Sequence, residues 1–101
     1  MVGKEKFHRV IHNHSQSLKL YGVKEIGLFG SVNRGDDRNG SDYDVLVVFG
    51  KEKKNFRNFV AVSDLLEEQL GASVDMVTRE GLSRHIGPYI LKETEYVPIV
   101  S

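Results

Sequence analysis

The run Tyr43-Asp44-Val45-Leu46-Val47-Val48-Phe49 constrains this chain more than any other segment. From Val45 onward it is apolar on both alternating sets, which is the pattern of a central β-strand and not of an edge. Such a strand needs paired neighbours and a covering layer, and 101 residues must supply both. A chain of this length makes one core and leaves no room for a second domain of ordinary size. We therefore read residues 1–101 as a single domain.

The flanking segments supply the neighbours and the cover. Phe7, Val10, Ile11, His14, Leu18 and Tyr21 recur at three- and four-residue steps and Gly22 follows, so the spacing predicts an amphipathic helix over 5–21. Lys24 to Phe29 reads as a short strand ending at Gly30-Ser31, with at most one helical turn from Ser31 to Arg34. Residues 36–41 are turn-rich and read as a loop. After Gly50 and the Lys51–Lys54 run, a second stripe of Phe56, Phe59, Val60, Ser63, Leu66 and Leu70 predicts a helix closed by Gly71, with the three aromatic and valine positions at its start in the core. Val74 to Val77 reads as a third strand, two brief helical segments follow around Leu82–Ile86 and Tyr89–Ile90, and Val97 to Val100 reads as a last edge strand. The order α-β-β-α-β-α-β predicts an α/β (α+β) fold, with helices layered on a mixed sheet.

Composition narrows the function. Lys plus Arg and Asp plus Glu number 14 each, which argues against a general nucleic-acid binder, because sequence-independent affinity comes from a basic surface. The absence of cysteine excludes a disulfide framework and a thiolate zinc site. Neither a signal-peptide pattern nor an apolar run of membrane-spanning length is present, so a cytoplasmic protein is expected.

The chemistry lies in Gly30-Ser31-Val32-Asn33-Arg34-Gly35 and Ser41-Asp42-Tyr43-Asp44. Asp42 and Asp44 are two apart at a strand entrance, so both carboxylates leave the same face and can converge on one hard cation. Mg2+ suits them, since it takes oxygen ligands and is commonly held by one or two carboxylates plus substrate phosphates. Asp75 sits similarly in the third strand. If that strand neighbours the second, three acids gather at a site suited to two metals, with Asp75 as candidate base. Gly30 and Ser31 stand where exposed N–H groups and a hydroxyl can meet phosphate, and Arg34 adds a positive charge. The alternative for Arg34 is a surface pair with Asp36 or Asp37, and Ser31 alternatively only caps a helix turn. A Walker A loop fails because Asp36-Asp37 replace Lys-Ser/Thr, and no Gly-x-Gly-x-x-Gly follows a strand. A calcium loop starting at Asp37 fails at its sixth and twelfth positions. His8 and His12 have metal-ligand spacing without a third ligand and read as surface histidines.

These residues resemble the nucleotidyltransferase superfamily related to DNA polymerase β, and most closely its minimal stand-alone members. The signature there is Gly-Ser, ten residues, then Asp-x-Asp; here Gly30-Ser31 and Asp42-Tyr43-Asp44 have that spacing. Val74-Asp75-Met76-Val77 resembles the segment of the third acid, and Gly81-Leu82 through Ile90-Leu91-Lys92-Glu93 the C-terminal segment. The resemblance spans roughly residues 20 to 97, with Asn33 and Val45 as mild departures. It implies a DNA polymerase β-like fold with the acids at one edge of a cleft. It also implies transfer of a nucleotidyl group, usually AMP from ATP, with release of pyrophosphate. The catalytic and metal residues would be Asp42, Asp44 and Asp75, with Gly30, Ser31 and Arg34 on the phosphates and Mg2+ as cofactor. Minimal members are commonly encoded beside a small helical HEPN-domain protein and act as antitoxins, with a tyrosine of that partner as the acceptor. A homo- or hetero-oligomer is compatible with this, and a partner would supply the acceptor surface that 101 residues lack. The competing expectation is a non-catalytic antitoxin that neutralises its partner by binding.

Overall fold

The computed structural model describes residues 3–35 and 42–99. Two helices open it, α1 (Gly3–Asn13) and α2 (Ser15–Leu20). They are followed by β1 (Val23–Phe29), the single-turn α3 (Gly30–Arg34) and β2 (Tyr43–Phe49). A 3-10 turn (Lys51–Lys53) leads to α4 (Phe56–Leu70) and β3 (Val74–Thr78), and a second 3-10 turn (Arg79–Gly81) to α5 (Gly87–Glu93) and β4 (Glu95–Val97). The strands form a mixed sheet in the order β3-β2-β1-β4. β2 is central as its apolar run demands, antiparallel to β1 and parallel to β3, and β4 closes the far edge against β1. The expected loop at 36–41 lies outside the described residues.

Alternation along β2 divides its side chains between two environments. Tyr43, Val45, Val47 and Phe49 enter the main core with Ile26 and Leu28 of β1, Met76 of β3, Phe7 and Ile11 of α1, and Leu66 and Leu70 of α4. The Tyr43 ring stacks on Phe7 with centroids 6.3 Å apart. The other set, Asp44, Leu46 and Val48, leaves the opposite face; Leu46 is fully buried, whereas Asp44 and Val48 are half-buried. A strand apolar on both alternating sets thus has one face in the core and a second face that is buried at Leu46 and half-buried at Asp44 and Val48.

Four features differ from expectation. The predicted helix over 5–21 is interrupted at His14, where ψ is 20°. The buried Ser15 hydroxyl donates to the Ile11 carbonyl at 2.9 Å and lies 3.2 Å from that of His12, back-bonding that competes with the regular ladder and bends helices. Phe56 and Val60 are not core: Phe56 is 81% exposed and Val60 half-buried outside the core cluster, and Val62, Leu66 and Leu70 form the buried stripe of α4, with Phe59 packed at its margin. Asn55 caps α4 through its side-chain oxygen, which accepts from Asn58 N at 2.9 Å, and this fixes Phe56 in the first turn, beyond the sheet's cover. The last strand begins at Glu95, two residues earlier than read, because Gly27, Leu28 and Ile26 pair with Tyr96, Glu95 and Val97. Ile86 is likewise exposed in a turn, where a helical segment was expected.

Candidate active site

β1 ends at Phe29 opposite Asp44, so the turn that begins at Gly30 rises beside the entrance of β2. Gly30 has φ of 75°, a left-handed conformation that glycine adopts without penalty. The requirement is also spatial. A Cβ there would collide with Oδ2 of Asp44 and stand 2.8 Å from its Cγ. Gly30 therefore lets the Asp44 carboxylate lie against the backbone of the turn. Val32 is fully buried and anchors α3 to the core, while Ser31 stays half-buried and Arg34 exposed on the outer side.

Asp75 is the register partner of Asp44 in the parallel β2–β3 ladder. Cross-strand partners share a face, so the condition set by the sequence, that the third strand neighbour the second, is met. Asp42 precedes β2 by one residue and is exposed, two positions before Asp44. Asp44 feels the charges of the other two acids. Burial raises the pKa of Asp44 first, and the charges of Asp75 and Asp42 raise it further, with Glu93 adding to them and Arg34 opposing. Carboxylates brought to the same end of adjacent strands fit a hard divalent cation by donor chemistry. Their oxygens do not already converge: among the described residues no three His, Cys, Asp or Glu side chains are gathered closely enough to hold an ion.

The sequence reading missed one member. Glu93, the last residue of α5, places its carboxylate on the turn, where Oε1 accepts the Gly30 N–H at 3.0 Å. Arg34 Nη1 stands 3.4 Å from both Glu93 oxygens. The Glu93 carbonyl accepts from Asn33 Nδ2 at 3.1 Å. Asn33, a departure from the usual pattern, thus ties α3 to the end of α5, and Val45, the other departure, is a fully buried core residue. Sixty-three residues separate Glu93 from Gly30, and the β1–β4 pairing brings their ends of the fold together, so although the segment ending at Glu93 reads as family-like, nothing local in the sequence places its carboxylate at the turn. His8 is half-buried with Nε2 unpartnered, not a plain surface histidine, and is remote in sequence from the acids.

Comparison with known proteins decides the family. A model described as a nucleotidyltransferase domain matches residues 11–97. The chain belongs to the nucleotidyltransferase domain family. Among curated relatives, it is 36% identical over 98 residues to the protein adenylyltransferase MntA of Thermococcus cleftensis, covering 96% of this chain and 98% of that one. A solved structure named "Structure of putative minimal nucleotidyltransferase" superposes with a TM-score of 0.78 at 30% identity, covering 94% and 95% of the two chains. A toxin–antitoxin structure with AMP-PNP shares the fold at a TM-score of 0.67 and 20% identity, over 88% of this chain and 73% of that one. The nucleotidyltransferase fold and the α+β architecture read from the sequence are those observed. No helix among the described residues is long and apolar enough to cross a membrane.

Proposed function

We propose that this nucleotidyltransferase is a Mg2+-dependent protein adenylyltransferase that moves AMP from ATP to a hydroxyl of a small helical HEPN-type toxin, most simply a tyrosine, and so acts as its antitoxin. The observation that carries this is Asp42-x-Asp44 facing Asp75 across the β2–β3 ladder, beside the left-handed Gly30 turn. The near full-length likeness to a protein adenylyltransferase supports the transfer, and the toxin–antitoxin structure of the same fold supports the partner.

In this reading Gly30, Ser31 and Arg34 bind the phosphates, and Asp42, Asp44 and Asp75 are the cation's ligands. Bound Mg2+ would neutralise phosphate charge and favour the deprotonated acceptor. Asp75, exposed at the mouth of the site, takes the acceptor's proton. The acceptor oxygen forms a bond to the α-phosphorus, the bond from that phosphorus to the bridging oxygen breaks, and pyrophosphate leaves with the electron pair. The partner presents the acceptor hydroxyl to this site.

The test is transfer of α-labelled ATP to the co-purified partner. Wild-type chain should label it, and Asp42→Asn and Asp44→Asn should each lower the rate at least 100-fold, roughly the scale of removing a transition-state charge stabiliser. Equal labelling by the variants would overturn the site. Retained neutralisation by an Asp44→Asn protein that labels nothing but still binds would favour the binding-only antitoxin.

A further inference from the structure

We infer that the Glu93 carboxylate is a built-in competitor of the nucleotide, occupying the groups that would receive its phosphates and setting the affinity by having to be displaced. This rests on the reading above, in which Gly30, Ser31 and Arg34 bind phosphate. The observation is that the turn already holds an anion. Glu93 Oε1 accepts from the Gly30 amide at 3.0 Å, and both carboxylate oxygens lie 3.4 Å from Arg34 Nη1. A carboxylate and a phosphate oxygen make the same demands on an amide and a guanidinium, so the two anions exclude each other there.

The surroundings favour displacement over a permanent latch. Glu93 stands at the C-terminus of α5, where a negative side chain is unfavourable against the helix dipole. Its side chain is 38% exposed and its partner Arg34 52% exposed, so the ion pair is screened and its geometry long. The backbone of the same residue is held separately, through the bond from Asn33 to its carbonyl. The side chain can therefore swing out by rotamer change while α5 stays docked. Left in place, it would add a fourth negative charge beside Asp42, Asp44 and Asp75 as the triphosphate arrives.

The consequence is an affinity lowered by the fraction of molecules with the turn vacated. One screened ion pair plus one charge-assisted hydrogen bond corresponds to a penalty of roughly three- to tenfold in Kd. Isothermal titration of the full chain with Mg2+·AMP-PNP tests it. Glu93→Gln and Glu93→Ala should bind roughly three- to tenfold tighter than wild type, with Ala at least as tight as Gln because it also frees the Gly30 amide. Glu95→Gln removes the same unit of charge two residues away, from a side chain paired with Lys4, and should leave the affinity unchanged. Equal or weaker binding by the Glu93 variants, or an equal gain from Glu95→Gln, overturns the inference while leaving the nucleotidyl-transfer reading intact. Absence of binding by wild type and all variants alike overturns both. Gly30 amide shifts in 15N spectra give an independent readout: nucleotide should move this resonance, and the Glu93 variants should move it without nucleotide.

Discussion

Asp44 and Asp75 stand opposite each other in the parallel pairing of two adjacent strands, a position in which two carboxylates repel. Nothing in the packing requires this. Tyr43, Val45 and Met76, their neighbours in sequence, turn into the core and would hold the same strands together with neutral residues in place of the acids. The acids are a cost that the fold carries.

The first prediction concerns pH. The pKa of Asp44 is raised in the folded chain above its ordinary 3.8, by burial and then by Asp75 and Asp42. The native state therefore binds this proton more tightly than the unfolded state. Stability contributed by the protonated form is present below 3.8 and is lost as pH rises through the raised folded value. Asp44→Asn should accordingly increase Tm at neutral pH, by on the order of a few degrees given the group's partial exposure. The gain should shrink toward zero in acid, where the wild-type carboxyl is neutral as well. Thermal melts of both proteins across pH 3–7 check it, and a gain that grows in acid would refute the assignment.

A second prediction separates strain from contact. Gly30 and Gly35 both have positive φ, 75° and 81°, but among the described residues a Cβ at Gly35 meets nothing within 4 Å, whereas one at Gly30 runs into the Asp44 carboxylate. Gly35→Ala should cost only the left-handed penalty, about 1–2 kcal/mol. Gly30→Ala should cost more, roughly 2–4 kcal/mol, and remove transfer activity by pushing Asp44 out of place. Denaturant unfolding gives the two values. Equal losses would mean that the Gly30–Asp44 contact has no energetic weight.

That Gly30, Asp42 and Asp44 come to one end of the sheet was legible in the sequence because they stand at the boundaries of two short apolar segments that read as consecutive strands. Asp42, Asp44 and Gly30 flank two strands that pair directly, and Asp75 needed only one further adjacency. Glu93 was not legible, because its place depends on β4 returning to the far side of β1. The break at His14 was hidden for another reason: the apolar stripe from Phe7 to Tyr21 continues through it, and only Ser15's choice of the Ile11 carbonyl interrupts the helix. Phe56 looked like core because it shares helical spacing with Phe59 and Leu66. Periodicity says which face a residue is on, and not whether the sheet extends far enough to cover it.

That last distinction gives a third prediction. Leu66 is fully buried between α4 and the sheet, and Leu66→Ala should cost about 2–5 kcal/mol. Phe56→Ala, on the same helix, should change stability by less than about 1 kcal/mol, since its ring is mostly in water already. Parallel urea titrations of the two variants check it, and a large loss from Phe56→Ala would show that its ring buries surface in the free protein after all.

A fourth prediction tests the cation directly, without the reaction. If Asp42, Asp44 and Asp75 hold Mg2+, the ion binds the folded chain and not the unfolded one, and Tm must rise with its concentration. The rise should be on the order of 4–8 °C for each kcal/mol of linkage in a domain of this size. It should be lost in Asp44→Asn, whose own baseline is higher because the repulsion between the strands has been removed. Two effects of opposite origin therefore cross in one experiment: at low Mg2+ the variant melts later than wild type, and at saturating Mg2+ the difference narrows or reverses. A wild-type Tm that does not respond to Mg2+ up to millimolar concentration, with or without nucleotide, would mean that the facing acids serve something other than a hard cation.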